Sequence, residues 1–186
     1  FNGSQDVNYT IYDDSLVLNL PFEEGSGSTT YDHSPSTNNG TIYGATWTTG
    51  KFGNALSFDG ENDYVEVLDD DSLDITDEIT IEAWVKLNKY PNSNTYYPVD
   101  KKRRSASDSY QLIINSSGNV YGTIDTGNPV SVTSDTQLSL NQWYHIAYTW
   151  DGATVQVYVN GEQDGASASQ NGSMANTNDN VVIGYG

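Results

Sequence analysis

The sequence predicts an all-β protein, an antiparallel two-sheet jelly-roll sandwich, on three observations. Apolar and polar residues alternate with a period of two in one short run after another, and no stretch carries a period of 3.6. Asp151-Gly152, Asn160-Gly161 and Ser117-Gly118 stand between such runs, and these dipeptides make tight reversals. Many short strands at near-regular spacing are the pattern of sandwiches and jelly rolls.

In chain order, the first run alternates Val7, Tyr9 and Ile11, and the second Leu16, Leu18 and Leu20. Tyr64–Val67 puts Val65 and Val67 on one face. Glu78–Lys86 turns Ile79, Ile81, Ala83 and Val85 inward, with Glu78, Thr80, Glu82 and Trp84 on the other side. Strands follow at Gln111–Ile114, Asn119–Ile124, Trp143–Trp150 and Thr154–Val159, and a last one at Val181–Tyr185. The stretch Gln163–Asn180, rich in Ser, Asn, Gly and Ala, reads as a surface loop or a weak edge strand. No helix, linker or tandem repeat is expected.

At 186 residues the chain is long enough to bury one core. It has no cysteine, hence neither a disulfide framework nor thiol chemistry. No run is long and apolar enough to cross a membrane, and no signal peptide is present; an exported chain would have lost its leader. A net charge of -18 opposes nucleic acid and anionic lipid, and suits a cation-rich setting or calcium. Four of the seven basic residues stand together as Lys101, Lys102, Arg103 and Arg104. They make either a solvated loop or a contact for an acidic neighbour, substrate or subunit. Asn-x-Ser/Thr occurs at Asn2, Asn8, Asn39, Asn115 and Asn171, which favours a secreted, glycosylated protein.

Several motifs in order then carry a family resemblance. They are Phe22–Gly27 (FEEGSG), Asp32–Gly40, and Gly50–Val65 (GKFGNALSFDGENDYV), followed by ITIEAWVK, NQWYHIAYTWDG and VQVYVNGE. From Leu16 to Gly186 the chain resembles LamG-like jelly rolls of the concanavalin A-like lectin/glucanase superfamily. Gly53 and Gly60 suit turns that a Cβ would obstruct. Leu56, Phe58, Trp84, Trp143, Tyr148 and Trp150 offer the bulk to fill a sandwich.

The resemblance implies a final strand after Val181–Gly184, and its closest counterpart stands at the other end of the chain, Phe1–Tyr12. The usual last strand is therefore expected to be displaced to the N-terminus, giving a strand segment over 1–15 and a LamG-like domain over 16–186. Val7, Tyr9 and Ile11 would then fill the gap in their own subunit, fill that of the next subunit head to tail, or belong to a preceding repeat.

The resemblance also nominates Asp32, Asp59, Gly60 (through its carbonyl) and Asp63 as calcium ligands, since hard cations take clustered oxygens on loops. The alternative is that Asp59 and Asp63 bond only turn amides. Asp69, Asp70, Asp71, Asp74 and Asp77 form a second acidic stretch, read as a solvated loop, a weak cation site, or a partner for Lys101–Arg104 of a neighbouring subunit. Pentraxin relatives hold calcium near the position of Asp108 with ligands beyond the last strand, so that site is not expected in cis here.

Catalysis is disfavoured. Glu78 and Glu82 share a face but stand about 13 Å apart along a strand, too far for a glycosidase pair. His33 and His145 are the only histidines. Sugar binding would use exposed aromatics, for which Tyr90, Tyr96, Tyr97, Tyr110 and Tyr121 are candidates against a core or edge role. The expectation is a non-catalytic extracellular structural or adhesive surface protein, with filament assembly through the N-terminal strand. The alternative is a calcium-dependent carbohydrate-binding module. Its partners would be copies of itself or surface glycans.

Overall fold

The computed structural model describes residues 15–92, 95–101 and 109–186. The Val7, Tyr9, Ile11 segment, the sequons at Asn2 and Asn8, and Lys102, Arg103, Arg104 and Asp108 lie outside the described residues. Fifteen strands follow in order: β1 Thr29–Thr30, β2 Gly40–Tyr43, β3 Thr46–Thr49, β4 Asn54–Ser57, β5 Tyr64–Val67, β6 Ile79–Lys86, β7 Tyr96–Asp100, β8 Tyr110–Ile114, β9 Asn119–Ile124, β10 Val130–Gln137, β11 Trp143–Trp150, β12 Thr154–Val159, β13 Glu162–Gln163, β14 Ala168–Ser169 and β15 Val181–Ile183. The one helical piece among the described residues is a 3-10 turn, Asp71–Leu73, capped by the Asp70 carboxylate, which accepts from the Ser72 amide.

All pairings are antiparallel. The larger, eight-stranded sheet runs β1-β2-β5-β15-β7-β8-β9-β10, and the smaller one runs β13-β12-β11-β6 with β14 beside β12; β3 and β4 form a separate hairpin. The core lies between the two sheets. Val67, Leu112, Ile114, Val120 and Ile124 of the larger sheet meet Ile81, Ile146, Tyr148, Trp150, Val155 and Val157 of the smaller one. Period-two alternation is the cause, because it sends every second side chain of each strand into this layer. Gly122 shows how close the layers come: a Cβ there would stand 2.3 Å from the Tyr148 ring, so β9 must carry glycine where the tyrosine crosses it. The turn Asn160-Gly161 has φ of 53° and 84°, the left-handed pair that a two-residue hairpin requires.

Two expectations change here. Leu16–Leu20 forms no ladder, although Val17, Leu18 and Leu20 pack against the core. Trp84 does not fill the sandwich; it points outward and is 44% exposed, while Trp150 and Tyr148 do the filling. The stretch Gln163–Asn180, expected as a surface loop or a weak edge strand, holds the short strand β14 beside β12 and is anchored at Gln170. Gln170 is buried, and its side-chain amide donates to the carbonyls of Ile124 and Asn128 and to Thr126 Oγ1.

Candidate functional site

The residues nominated for calcium are brought to two separate turns. Asp32 is buried and accepts four bonds, from the amides of Asn19, Ser34 and Asn38 and from the Ser34 hydroxyl. Its carboxylate closes the loop that leads into β2. Asp59 Oδ1 accepts from the amides of Glu61, Asn62 and Asp63, while Asp63 Oδ2 accepts from the Asp59 amide. Those donors, Glu61 first, hold the Asp59 carboxyl below its ordinary value. Gly44 closes the same turn from outside: at φ 76° it leaves room for Asp63 Oδ1, which a Cβ would strike. Among the described residues no three His, Cys, Asp or Glu side chains converge into a group that could hold a metal ion. The Asp32, Asp59 and Asp63 carboxylates each close a turn by accepting backbone amides.

Lys101 is likewise not an interface residue. Its ammonium is fully buried, 2.7 Å from Asp69 Oδ1, 3.3 Å from Asp74 Oδ1 and 3.0 Å from the Asp179 carbonyl. The acidic stretch thus meets a lysine of its own chain. This cation ties the loop after β5 to the approach to β15.

The face of the larger sheet turned away from the core carries polar residues and tyrosines, and its middle is covered, since Val182, Asp100, Gln111 and Ile113 are buried. Register places Thr41, Glu66, Val182, Asp100, Gln111, Thr123 and Ser131 opposite one another across seven strands. Gln111 Nε2 donates to Asp100 Oδ1 at 2.9 Å, and the Thr123 and Ser131 hydroxyls are 2.9 Å apart. Two or three residues along the strands lies a band of tyrosines. Tyr43 stacks on Tyr64 at 4.8 Å, and Tyr97 stands 6.4 Å from Tyr185. Tyr121 follows on β9; half-burial first, then the neighbouring Tyr97 hydroxyl, pushes its phenol above the ordinary value. Tyr43 is exposed and the others are half-buried.

Of the five tyrosines named from sequence, Tyr97 and Tyr121 lie on this face. Tyr110 is a correction: it is buried, its hydroxyl donates to the Leu73 carbonyl, and burial pushes its phenol far up. Tyr90 and Tyr96 pack against the core. Tyr43, Tyr64 and Tyr185 were missed. For Tyr64 the signal was present, since DYVEV sends it to the face opposite Val65 and Val67.

The outward face of the smaller sheet carries a second patch. Trp84 lies opposite His145 with rings 5.4 Å apart, and Lys86 opposite Trp143 with its ammonium 5.2 Å from the ring. The β3–β4 tip adds Phe52, edge-on to Trp84 at 5.8 Å, and Lys51, whose ammonium is 5.3 Å from the indole. Glu82 is exposed and reaches His145 Nε2 at 3.5 Å. On the edge of this sheet, β6 pairs with β11 and with no second strand among the described residues.

Among the sequons, Asn39 and Asn171 are exposed, while the Asn115 side-chain oxygen accepts from the Ser117 and Asn119 amides. Among the described residues no helix is long and apolar enough to cross a membrane.

A family profile described as the concanavalin A-like lectin/glucanases superfamily, of laminin G type, matches residues 59–186. Solved structures share the fold. Domain 4 of AbnA, a GH43 extracellular arabinanase from Geobacillus stearothermophilus in complex with arabinotriose, aligns with a TM-score of 0.70 and 18% identity over 91% of this chain and 82% of that one. An S-layer domain-containing protein from Clostridium thermocellum aligns with a TM-score of 0.52 and 26% identity over 81% of this chain and 71% of that one. The botulinum neurotoxin serotype D binding domain aligns at 0.67 and 17% over 92% of this chain but only 44% of that one. No curated protein matches the sequence.

Proposed function

Because this chain belongs to the concanavalin A-like lectin/glucanases superfamily, we propose that it is a non-catalytic extracellular adhesive domain that holds a saccharide on the outward face of its larger sheet. The tyrosine band beside a polar row is the observation that carries this reading. Tyrosine rings offer apolar faces to sugar C–H groups while their hydroxyls stay available for hydrogen bonds. Glu66, Thr123 and Ser131 supply further partners for sugar hydroxyls one step away along the strands. Glu66 and the chain's charge of -18 oppose uronates, so the ligand class is a neutral oligosaccharide. The arabinanase domain of similar fold was solved with arabinotriose, which makes that trisaccharide the first probe.

Tyr121→Ala and Tyr97→Ala are each expected to weaken binding by roughly tenfold, about 1.4 kcal/mol, with the melting temperature nearly unchanged. Calorimetric titration with arabinotriose and a panel of neutral oligosaccharides checks this. Variants that bind like the parent would place the site elsewhere. Calcium has no part in this reading. Excess EDTA is expected to leave both the affinity and the melting temperature unchanged; a loss of either would restore a cation site.

Among the described residues β6 has β11 as its one strand neighbour, which favours a second reading, assembly by strand donation. Val7, Tyr9 and Ile11 would supply the alternating side chains, pairing with β6 of the next subunit. Removal of residues 1–13 should then abolish fibres seen by sedimentation and negative-stain microscopy. Fibres that persist after the truncation would exclude strand donation.

A further inference from the structure

The saccharide reading does not use the outward patch on the smaller sheet, and strand donation would use only the backbone edge of β6, not the side chains on its face. Among the described residues, five large hydrophobic side chains are exposed: Tyr31, Tyr43, Phe52, Leu68 and Trp84. Phe52, 68% exposed, and Trp84 touch each other, and Lys51 and Lys86 flank them. Three lysines are exposed among the described residues, Lys51, Lys86 and Lys89, so two of the three stand at this one patch. Glu82 and His145 face each other on it, and the exposed Glu23 carboxylate lies at the hairpin tip, accepting from the Asn54 amide.

The opposite character is found at Leu68, also 68% exposed. It sits just past the end of β5, where Asp70 and Asp71 are exposed beside it. The Asp69 charge is already answered by the buried Lys101, and Asp70 caps the 3-10 turn. Asp71 is the carboxylate left to face outward.

We propose that this chain docks head to tail on copies of itself, with Leu68 and Asp71 of one copy seated against Phe52, Trp84 and Lys51 of the next. Charge complementarity selects this occupant: the patch concentrates lysine and aromatic surface on a molecule with 25 acidic residues, and the chain carries its own acidic, apolar counterpart. Aromatic side chains in a partly apolar setting are the usual anchors of such contacts. The two surfaces differ, so the contact is heterologous, and repetition extends it into a filament or a ring.

Salt separates this contact from bulk repulsion. Copies carrying -18 each repel one another over about 30 Å at 0.01 M salt, but over only about 8 Å at 0.15 M. Association should therefore be weak in dilute buffer and appear near 0.15 M.

Two double variants test the proposal by sedimentation velocity at 0.15 M salt on the full chain. Lys51→Glu with Trp84→Ser removes the patch but keeps the loop; Leu68→Ser with Asp71→Lys removes the loop but keeps the patch. Neither touches Val7, Tyr9, Ile11 or the tyrosine band. The parent should sediment as a concentration-dependent series and each variant as a monomer. An equimolar mixture of the two should give a dimer and nothing larger, because one intact patch meets one intact loop and both outer ends are dead. Phe52→Ser replaces Trp84→Ser if the latter lowers the melting temperature. A parent that stays monomeric at about 1 mM, a mixture that stays monomeric, or variants that assemble like the parent would each overturn the contact. The last outcome would leave strand donation as the route of assembly, and a monomeric parent that binds an acidic polysaccharide through Trp84 would give the patch to a glycan.

Discussion

Replacing Lys101 by methionine is expected to cost about 3–5 kcal/mol of folding stability, as removal of one member of a buried ion pair does. The lysine ammonium is fully shielded from solvent and lies within 3.3 Å of two carboxylates. Methionine fills much of the same volume, so the loss is electrostatic rather than a cavity. Asp69, Asp74 and the Asp179 carbonyl would then lose the ammonium that all three face. Both aspartates retain some exposure, 26% and 14%, so the effect should fall at the lower end of that range. Urea unfolding followed by tryptophan fluorescence gives the number. A change below about 1 kcal/mol would mean that water replaces the ammonium at little cost and that the loop after β5 is not held by this pair.

Trp150→Ala is expected to cost a similar 3–5 kcal/mol for a different reason. The indole is 1% exposed at the centre of the core, and its Nε1 donates to the Gln170 carbonyl at 2.8 Å. The truncation leaves a void and also releases Gln170, whose side chain holds three acceptors near the end of β9. Trp150→Phe separates the two effects. It keeps most of the apolar contact and gives up one hydrogen bond, for about 1–2 kcal/mol. Limited proteolysis should find new cuts between residues 163 and 180 in both variants. Cuts confined to other loops would show that Gln170 is held without the indole.

Alternation made much of this fold legible. Asn119–Ile124, Trp143–Trp150 and Thr154–Val159 are strands over the bounds their sequences suggest. Parity also held the answer for Tyr110, which shares a face with Leu112 and Ile114 and therefore points inward, while Tyr121 opposes Val120 and points out. Other elements depend on partners that no local pattern announces. Leu16–Leu20 alternates well, yet a ladder needs a neighbour, and among the described residues none pairs with it. Tyr96–Asp100 carries Pro98, which argues against a strand between two others; a register shift between Tyr96 and Val99 accommodates it. Lys101 opens a basic run that reads as solvated, and only the fold could bring it to Asp69 and Asp74, 32 and 27 positions away in sequence. The patch at Trp84 was half legible: its strand sends the indole outward, but Phe52 and Lys51 reach it from a separate hairpin.

The saccharide reading stands or falls on the tyrosine band. Its most direct test is a titration of neutral oligosaccharides into the parent chain and into a Tyr97→Ala, Tyr121→Ala double variant, with both proteins shown to melt alike. Saturable binding by the parent and a loss greater than the roughly tenfold of either single variant is the predicted result. Equal affinity in the two proteins, or no binding by the parent across the panel, would contradict it.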